Sequence, residues 1–192
     1  MRYANIKAIV FDFWGVFATF NAPVKKTIGI KGSVTDYPEY YDLINQHNLG
    51  QISEDEFLKA TSKVFNVSLS SGHRYLFDAG HLNHDLIEIV KKLKNKYKIG
   101  LITNTGKEYM DEFLYKPGLD KLFDCLVISC LEGLRKPDPK IYMLVAERLH
   151  IKPKEILYLD DHPDRISPAA VLGMNVLLYE GEKTNKILEE LL

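Results

Sequence analysis

The chain has 192 residues, 46% of them hydrophobic and 27% charged, enough for one core domain with a modest insertion. Its 25 Lys and Arg against 26 Asp and Glu leave a net charge of −1, which gives no electrostatic case for a nucleic-acid or membrane partner. The only cysteines, Cys125 and Cys130, match no metal or redox spacing and read as free thiols in a reducing compartment.

The first segment, MRYANIKAIVFDF, passes almost directly into a strand-like run and lacks the separate cleavage region of a signal peptide. The longest apolar run, 8–20, is too short to span a bilayer and is interrupted by Asp12, so a cytoplasmic protein is expected. KAIVFDF (7–13) is the first predicted strand. Residues 18–82 then show helical patterns and no convincing strand. Tyr40, Tyr41, Leu43, Ile44 and His47 mark one helix, and Gly50 a turn. Ser53 with Glu56 forms a capping-box pattern ahead of Phe57, Leu58, Thr61, Val64 and Phe65 on one helical face. A third helix is expected near 69–79. Tyr37, Tyr40, Tyr41 and Phe57 read as the core of this insertion.

Strand and helix alternate from there on. A helix over 84–97 carries Leu86, Ile89, Val90, Leu93 and Tyr97 on one stripe, with lysines on its solvated side. Strands follow at KIGLITN (98–104) and DCLVIS (124–129). Asp138 and Pro139 suit the start of a helix over 139–149. EILYLDD (155–161) and NVLLY (175–179) complete the strands. Continuous apolar runs, rather than alternation, predict strands covered on both faces of a mainly parallel sheet. The fold class is therefore a doubly wound, Rossmann-like α/β core, 1–17 and 83–192, with a small helical cap at 18–82 inserted after the first strand.

Ligands of open α/β sheets bind beyond the carboxyl ends of the strands. Asp12 stands at that end of the first strand, Thr103 and Asn104 at the second, and Asp160 and Asp161 at the fourth. Lys136 follows the third in the loop RKPDPK. Carboxylates of this kind hold hard divalent cations, and Mg2+ is usually held by one or two of them plus waters and substrate phosphate. Lys, Thr hydroxyls and backbone N–H groups bind phosphate oxygens. A carboxylate can itself act as nucleophile in aspartyl-phosphate chemistry.

IVFDFWGV, LITNTG, RKPDPKIY and LYLDDHPDR, in that order at strand ends, resemble the four motifs of the haloacid dehalogenase (HAD) superfamily. The resemblance spans nearly the whole chain and points to phosphatase-type members with a helical cap. It is nearest to the sugar-phosphate branch, which includes a glucose-1-phosphate phosphatase and the N-terminal phosphatase domain of epoxide hydrolase. It implies a Mg2+-dependent phosphomonoester hydrolase, monomeric or homodimeric, acting on a small phosphorylated metabolite such as a sugar phosphate. Asp12 would be the nucleophile. Asp12, the backbone carbonyl of Trp14 and Asp161 would hold Mg2+, with Asp160 in support. Thr103, Asn104 through its backbone, and Lys136 would hold the phosphate.

Two positions depart from the pattern. Many family phosphatases carry a second Asp two residues after the nucleophile, as general acid and base; here the residue is Trp14, which cannot shuttle a proton. That argues against a phosphomutase and keeps open a non-catalytic or very slow phosphate-binding protein on the same fold. Arg165 stands where Asp or Asn is frequent and would oppose a cation unless it turned outward or paired with Asp164. His162 is a minor candidate for an alternative base. Dehalogenases share an aromatic residue at the Trp14 position but lack the double acid, so Asp160–Asp161 makes that activity the least expected.

Overall fold

The computed structural model describes residues 3, 5–20, 34–66 and 80–192. Five parallel strands form the central sheet: β1 (Ala8–Phe11), β4 (Lys98–Thr103), β5 (Cys125–Ile128), β6 (Ile156–Asp160) and β7 (Asn175–Leu178). Their spatial order is β5-β4-β1-β6-β7, so β1 lies at the centre between β4 and β6. Every strand of the sheet was expected from its apolar run. Successive side chains of a strand point to opposite faces. One face carries Ile9, Phe11, Ile99, Leu101, Leu157 and Leu159, packed with α3 (His84–Leu93). The other carries Ala8, Val10, Ile102, Val127 and Tyr158, packed with α6 (Pro139–Leu149). With apolar layers on both sides, neither face needs polar residues, hence the unbroken runs.

The insertion contains α1 (Pro38–Asn48) and α2 (Glu54–Phe65). Tyr40, Phe57 and Leu58 form its small buried core. Tyr41, expected in that core, is instead 39% exposed. The helix expected near 69–79 lies outside the described residues. The expectation that 18–82 holds no strand is corrected: β2 (Ala18–Phe20) pairs antiparallel with β3 (Gly80–Leu82). Three-residue strands whose partners stand 60 to 64 positions away leave no periodicity to read. Helix α3 also ends at Leu93, short of the expected 97; Tyr97 donates its backbone N–H to the Leu93 carbonyl in the turn beyond. Three short elements complete the sites described below: α4 (Lys107–Met110), α5 (Ser129–Glu132) and α7 (Pro163–Val171); α8 (Glu182–Glu189) closes the described chain.

Candidate active site

The sheet delivers its polar residues to one rim. Strand β1 buries Ala8 to Phe11 completely and hands the chain to Asp12, which is 1% exposed. The Asp12 amide donates to the Leu159 carbonyl (2.8 Å), fixing the residue beside the end of β6. The chain then reverses on a single acceptor, the Phe13 carbonyl, which receives the amides of Val16, Phe17 and Ala18. Gly15 in this turn has φ +83°, and a Cβ there would lie 2.0 Å from Asp161 Oδ2. Only glycine suits both the left-handed backbone and the close approach of that carboxylate.

Lys136 is fully buried between two acids. Its Nζ lies 2.7 Å from Asp12 Oδ1 and 2.7 Å from Asp160 Oδ2. A buried ammonium is sustained only by such pairing. The loop carrying it is clamped by the Asn104 side chain, whose Oδ1 accepts from the Lys136 amide and whose Nδ2 donates to the Lys136 carbonyl, both at 2.8 Å. Asn104 thus has a visible side-chain task, positioning Lys136, that its expected backbone role did not include.

Asp160 is also fully buried. It accepts from the Tyr158 hydroxyl (2.5 Å) and the His162 amide (2.9 Å). Tyr158 escaped the sequence reading, although residues two apart on a strand share a face and Tyr158 stands two before Asp160. Burial pushes Asp160 up, but the charge and hydrogen bond of Lys136, the Tyr158 hydroxyl and Arg165 together outweigh it and hold the carboxyl below its ordinary range. For Asp12 the balance is reversed. Burial, with a further push from Asp160, raises it to about 6 against the lowering by Lys136 and Arg165. Asp161 lies at the rim, exposed as a residue, and its carboxyl is raised, first by partial desolvation against the neighbouring protein and then by Asp160.

Arg165 overturns both arrangements considered for it. It neither turns outward nor pairs with Asp164; its Nη1 donates to Asp12 Oδ2 at 3.1 Å and lies 3.8 Å from Asp160 Oδ1. Helix α7 begins at Pro163, and Tyr142 on α6 donates its hydroxyl to the Arg165 carbonyl (2.7 Å), which anchors that turn. His162 is exposed, 3.8 Å from Asp164, and its contact with the site is through its backbone. Thr103 is fully buried, and its hydroxyl has no hydrogen-bond partner among the described residues.

Trp14 is a packing residue. Its ring makes edge contacts with Phe13, Tyr109 and Phe113, and its Nε1 donates to Thr105 Oγ1 at 3.2 Å. Both cysteines are free; Cys125 is buried and Cys130 half-buried.

The rim can do anion and cation chemistry together. Asp12, Asp160 and Asp161 offer carboxylate oxygens within 4.8 Å of one another, beside two fixed cations.

The chain belongs to the haloacid dehalogenase-like hydrolase family, whose sequence pattern it matches over residues 6–173. It is 29% identical over 191 residues to the D-ribitol-5-phosphate phosphatase of Bacteroides thetaiotaomicron, covering 91% of this chain and 92% of that protein. It is 31% identical over 135 residues to the bifunctional epoxide hydrolase 2 of Rattus norvegicus, covering 65% of this chain. The chain spans only 24% of that relative and 7% of another, acyl-CoA dehydrogenase family member 10 of Mus musculus. Among solved structures, a HAD-family enzyme of Bacteroides thetaiotaomicron in complex with magnesium and inorganic phosphate superposes with a TM-score of 0.76 at 21% identity, over 92% of this chain and 96% of that one. Among the described residues, no helix is long and apolar enough to cross a membrane.

Proposed function

We propose that this chain is a Mg2+-dependent phosphomonoesterase that uses Asp12 as nucleophile, through an aspartyl-phosphate, on a small phosphorylated metabolite such as a sugar phosphate. The observation that carries the reading is the buried carboxylate of Asp12, held by Lys136 at the end of β1, with the neighbouring strand β4 ending in Thr103, whose buried hydroxyl has no hydrogen-bond partner among the described residues. A phosphate oxygen is the natural partner for that hydroxyl and for Lys136. The D-ribitol-5-phosphate phosphatase relative, and a phosphorylated carbohydrates phosphatase of Thermotoga maritima 32% identical over 90 residues, support the substrate class.

The residues present fit a magnesium ion. Three carboxylates face two cations, leaving one negative charge in excess, and the donors are all oxygen, as Mg2+ requires. The missing Cβ of Gly15 makes the space in which Asp161 approaches the turn after Asp12. Asp12, the Trp14 carbonyl and Asp161 would hold the ion, with Asp160 behind them; its chemistry is to neutralise charge on the phosphoryl oxygens.

In this reading the chain's own residues act as follows. Thr103, the Asn104 backbone and Lys136 bind and orient the phosphoryl group. Lys136, already on Asp12 Oδ1, keeps that carboxylate directed at the site and offsets charge as phosphorus is attacked. Asp12 Oδ1 is held by Lys136 and the Phe13 amide, so Oδ2 is the attacking oxygen and must part from Arg165 to be free. Trp14 supplies no proton to the leaving oxygen, so poor leaving groups lose the roughly 10²–10⁴-fold that general acid catalysis typically contributes.

The Arg165–Asp12 pair also favours the second reading, a phosphate-binding protein without turnover. One panel decides between them. Purified protein with Mg2+ is expected to hydrolyse p-nitrophenyl phosphate faster than alkyl and sugar phosphates, to stop with EDTA, and to stop in Asp12→Asn. Binding of phosphate without turnover on any ester supports the second reading, and activity surviving in Asp12→Asn removes Asp12 as nucleophile.

A further inference from the structure

A second cluster of titratable side chains sits where the inserted helices meet the core. His47 lies in the last turn of α1, Glu54 opens α2, and Glu108 comes from α4 of the core. His47 Nε2 is 2.8 Å from Glu54 Oε2 and 4.0 Å from Glu108 Oε2. One ligand atom from each of the three falls within 4.8 Å of the others. His47 and Glu54 are 4% and 5% exposed, whereas the Glu108 side chain is about half-exposed.

These buried atoms lack hydrogen bonds. Neither carboxylate oxygen of Glu54 receives one from any described residue, and His47 Nε2 makes none despite its short distance to Glu54. Their approach is thus close but off the hydrogen-bond line. A buried carboxylate that receives no hydrogen bond is left with much of its desolvation penalty uncompensated. A cation between the three residues would take His47 Nε2 and one Glu54 oxygen as ligands and so give this buried pair a partner.

The imidazole is fixed in place. It stacks on Phe57 with centroids 4.6 Å apart and planes 11° from parallel. Gly106 also approaches the ring closely; a Cβ there would lie 2.3 Å from Nε2. A cavity of about 300 Å³, bordered by Gln51, Lys107 and Cys130, opens onto the cluster. At about 30 Å³ of liquid volume per water, it has room for solvent ligands.

We propose that His47, Glu54 and Glu108 form a cation site of the zinc class, separate from the carboxylates around Asp12 and bridging the insertion to the core. One imidazole nitrogen with two carboxylates is a ligand set for zinc-like transition cations, whereas Mg2+ takes oxygen ligands. Bonds of about 2.0–2.2 Å at tetrahedral angles put ligand atoms roughly 3.4 Å apart. The two distances at His47, 2.8 and 4.0 Å, bracket that value. Rotation of the half-exposed Glu108 closes the larger gap. Occupancy joins a ligand pair on α1 and α2 to one on α4, and so holds the insertion against the core.

The test uses Co2+ as a spectroscopic substitute for zinc. The chain is stripped with EDTA, dialysed into excess Mg2+ to occupy the oxygen-only site, and titrated with Co2+ while its visible d–d absorption is recorded. One Co2+ per chain is expected, displaced by Zn2+, with affinity reduced at least about 10-fold in Glu108→Gln and His47→Gln. Asp161→Asn is expected to bind it as wild type does. Glu108→Gln changes a half-exposed side chain and keeps the fold, so it reads the site even if His47→Gln does not fold. The proposal is overturned if no Co2+ binds in excess Mg2+, if Glu108→Gln binds as tightly as wild type, or if Asp161→Asn alone abolishes binding.

Discussion

Asp12 and Arg165 are 153 positions apart in the chain and 3.1 Å apart in space. The carboxylate is buried deeply enough that its charged form is disfavoured even with two cations beside it, and it is pushed up to about 6 from 3.8. Between those values the folded protein holds a proton that the unfolded chain has released. Asp12 therefore favours folding fully below pH 3.8, and that contribution is lost as pH rises through about 6. Roughly two pH units correspond to about 3 kcal/mol. Asp160, held low, acts in the opposite sense and in the window below its ordinary value. In EDTA, the stability difference between wild type and Asp12→Asn is expected to shift against the wild type by about 2–3 kcal/mol from pH 4 to pH 7. Urea unfolding at stepped pH measures it, and a pH-independent difference would show that the carboxylate is not strained by burial. Asp12, Thr103 and Asp160 were legible as candidates because each is a polar residue at the end of an apolar run, and Lys136 because it lies in the loop between a strand and the next helix. The inward course of Arg165 was not, since its partners come from other elements and only the packed fold sets their distance.

At the scale of elements, the local signals transmit cleanly. The capping box at the start of α2 forms as its sequence predicts: Ser53 Oγ accepts from the Glu56 amide, and Glu56 Oε2 accepts from the Ser53 amide at 2.8 Å. Asp138 caps α6 through the Lys140 amide, with Pro139 in the first turn. Ser53→Ala removes one orphan amide's partner and is expected to cost about 1 kcal/mol, seen as a lower urea midpoint at unchanged slope. An unaltered midpoint would mean that α2 is held by Phe57 and Leu58 packing alone. The β2–β3 pair was missed for the converse reason. Its register is set by distant backbone hydrogen bonds, so three-residue strands carry no local signature.

At the scale of the molecule, the question is what seats the insertion on the core. Ser129 at the start of α5 joins the two: its hydroxyl donates to the Asn48 carbonyl at the end of α1 and accepts from the Thr105 amide beyond β4. Gly50 approaches the same segment, with φ +69°, and a Cβ there would lie 2.4 Å from the Cys130 carbonyl oxygen. Gly133 has a similar φ of +62° but nothing within 4 Å of a Cβ. Gly133→Ala should therefore carry only the left-handed backbone cost of about 1–2 kcal/mol. Gly50→Ala adds a clash with backbone and should destabilise more, by about 1 kcal/mol or above beyond that. Thermal unfolding of the two variants compares them directly, and equal losses would mean that the insertion moves freely over α5. The α/β class, all five sheet strands and the acids at their ends are written in local pattern, because burial on both faces and strand termination are local properties of the chain. Which charges meet is set by the packed fold: Arg165 on Asp12, Lys136 between two acids, and His47 between two glutamates at the seam. Those pairings depend on distances between elements remote in sequence, which packing sets and local pattern does not encode.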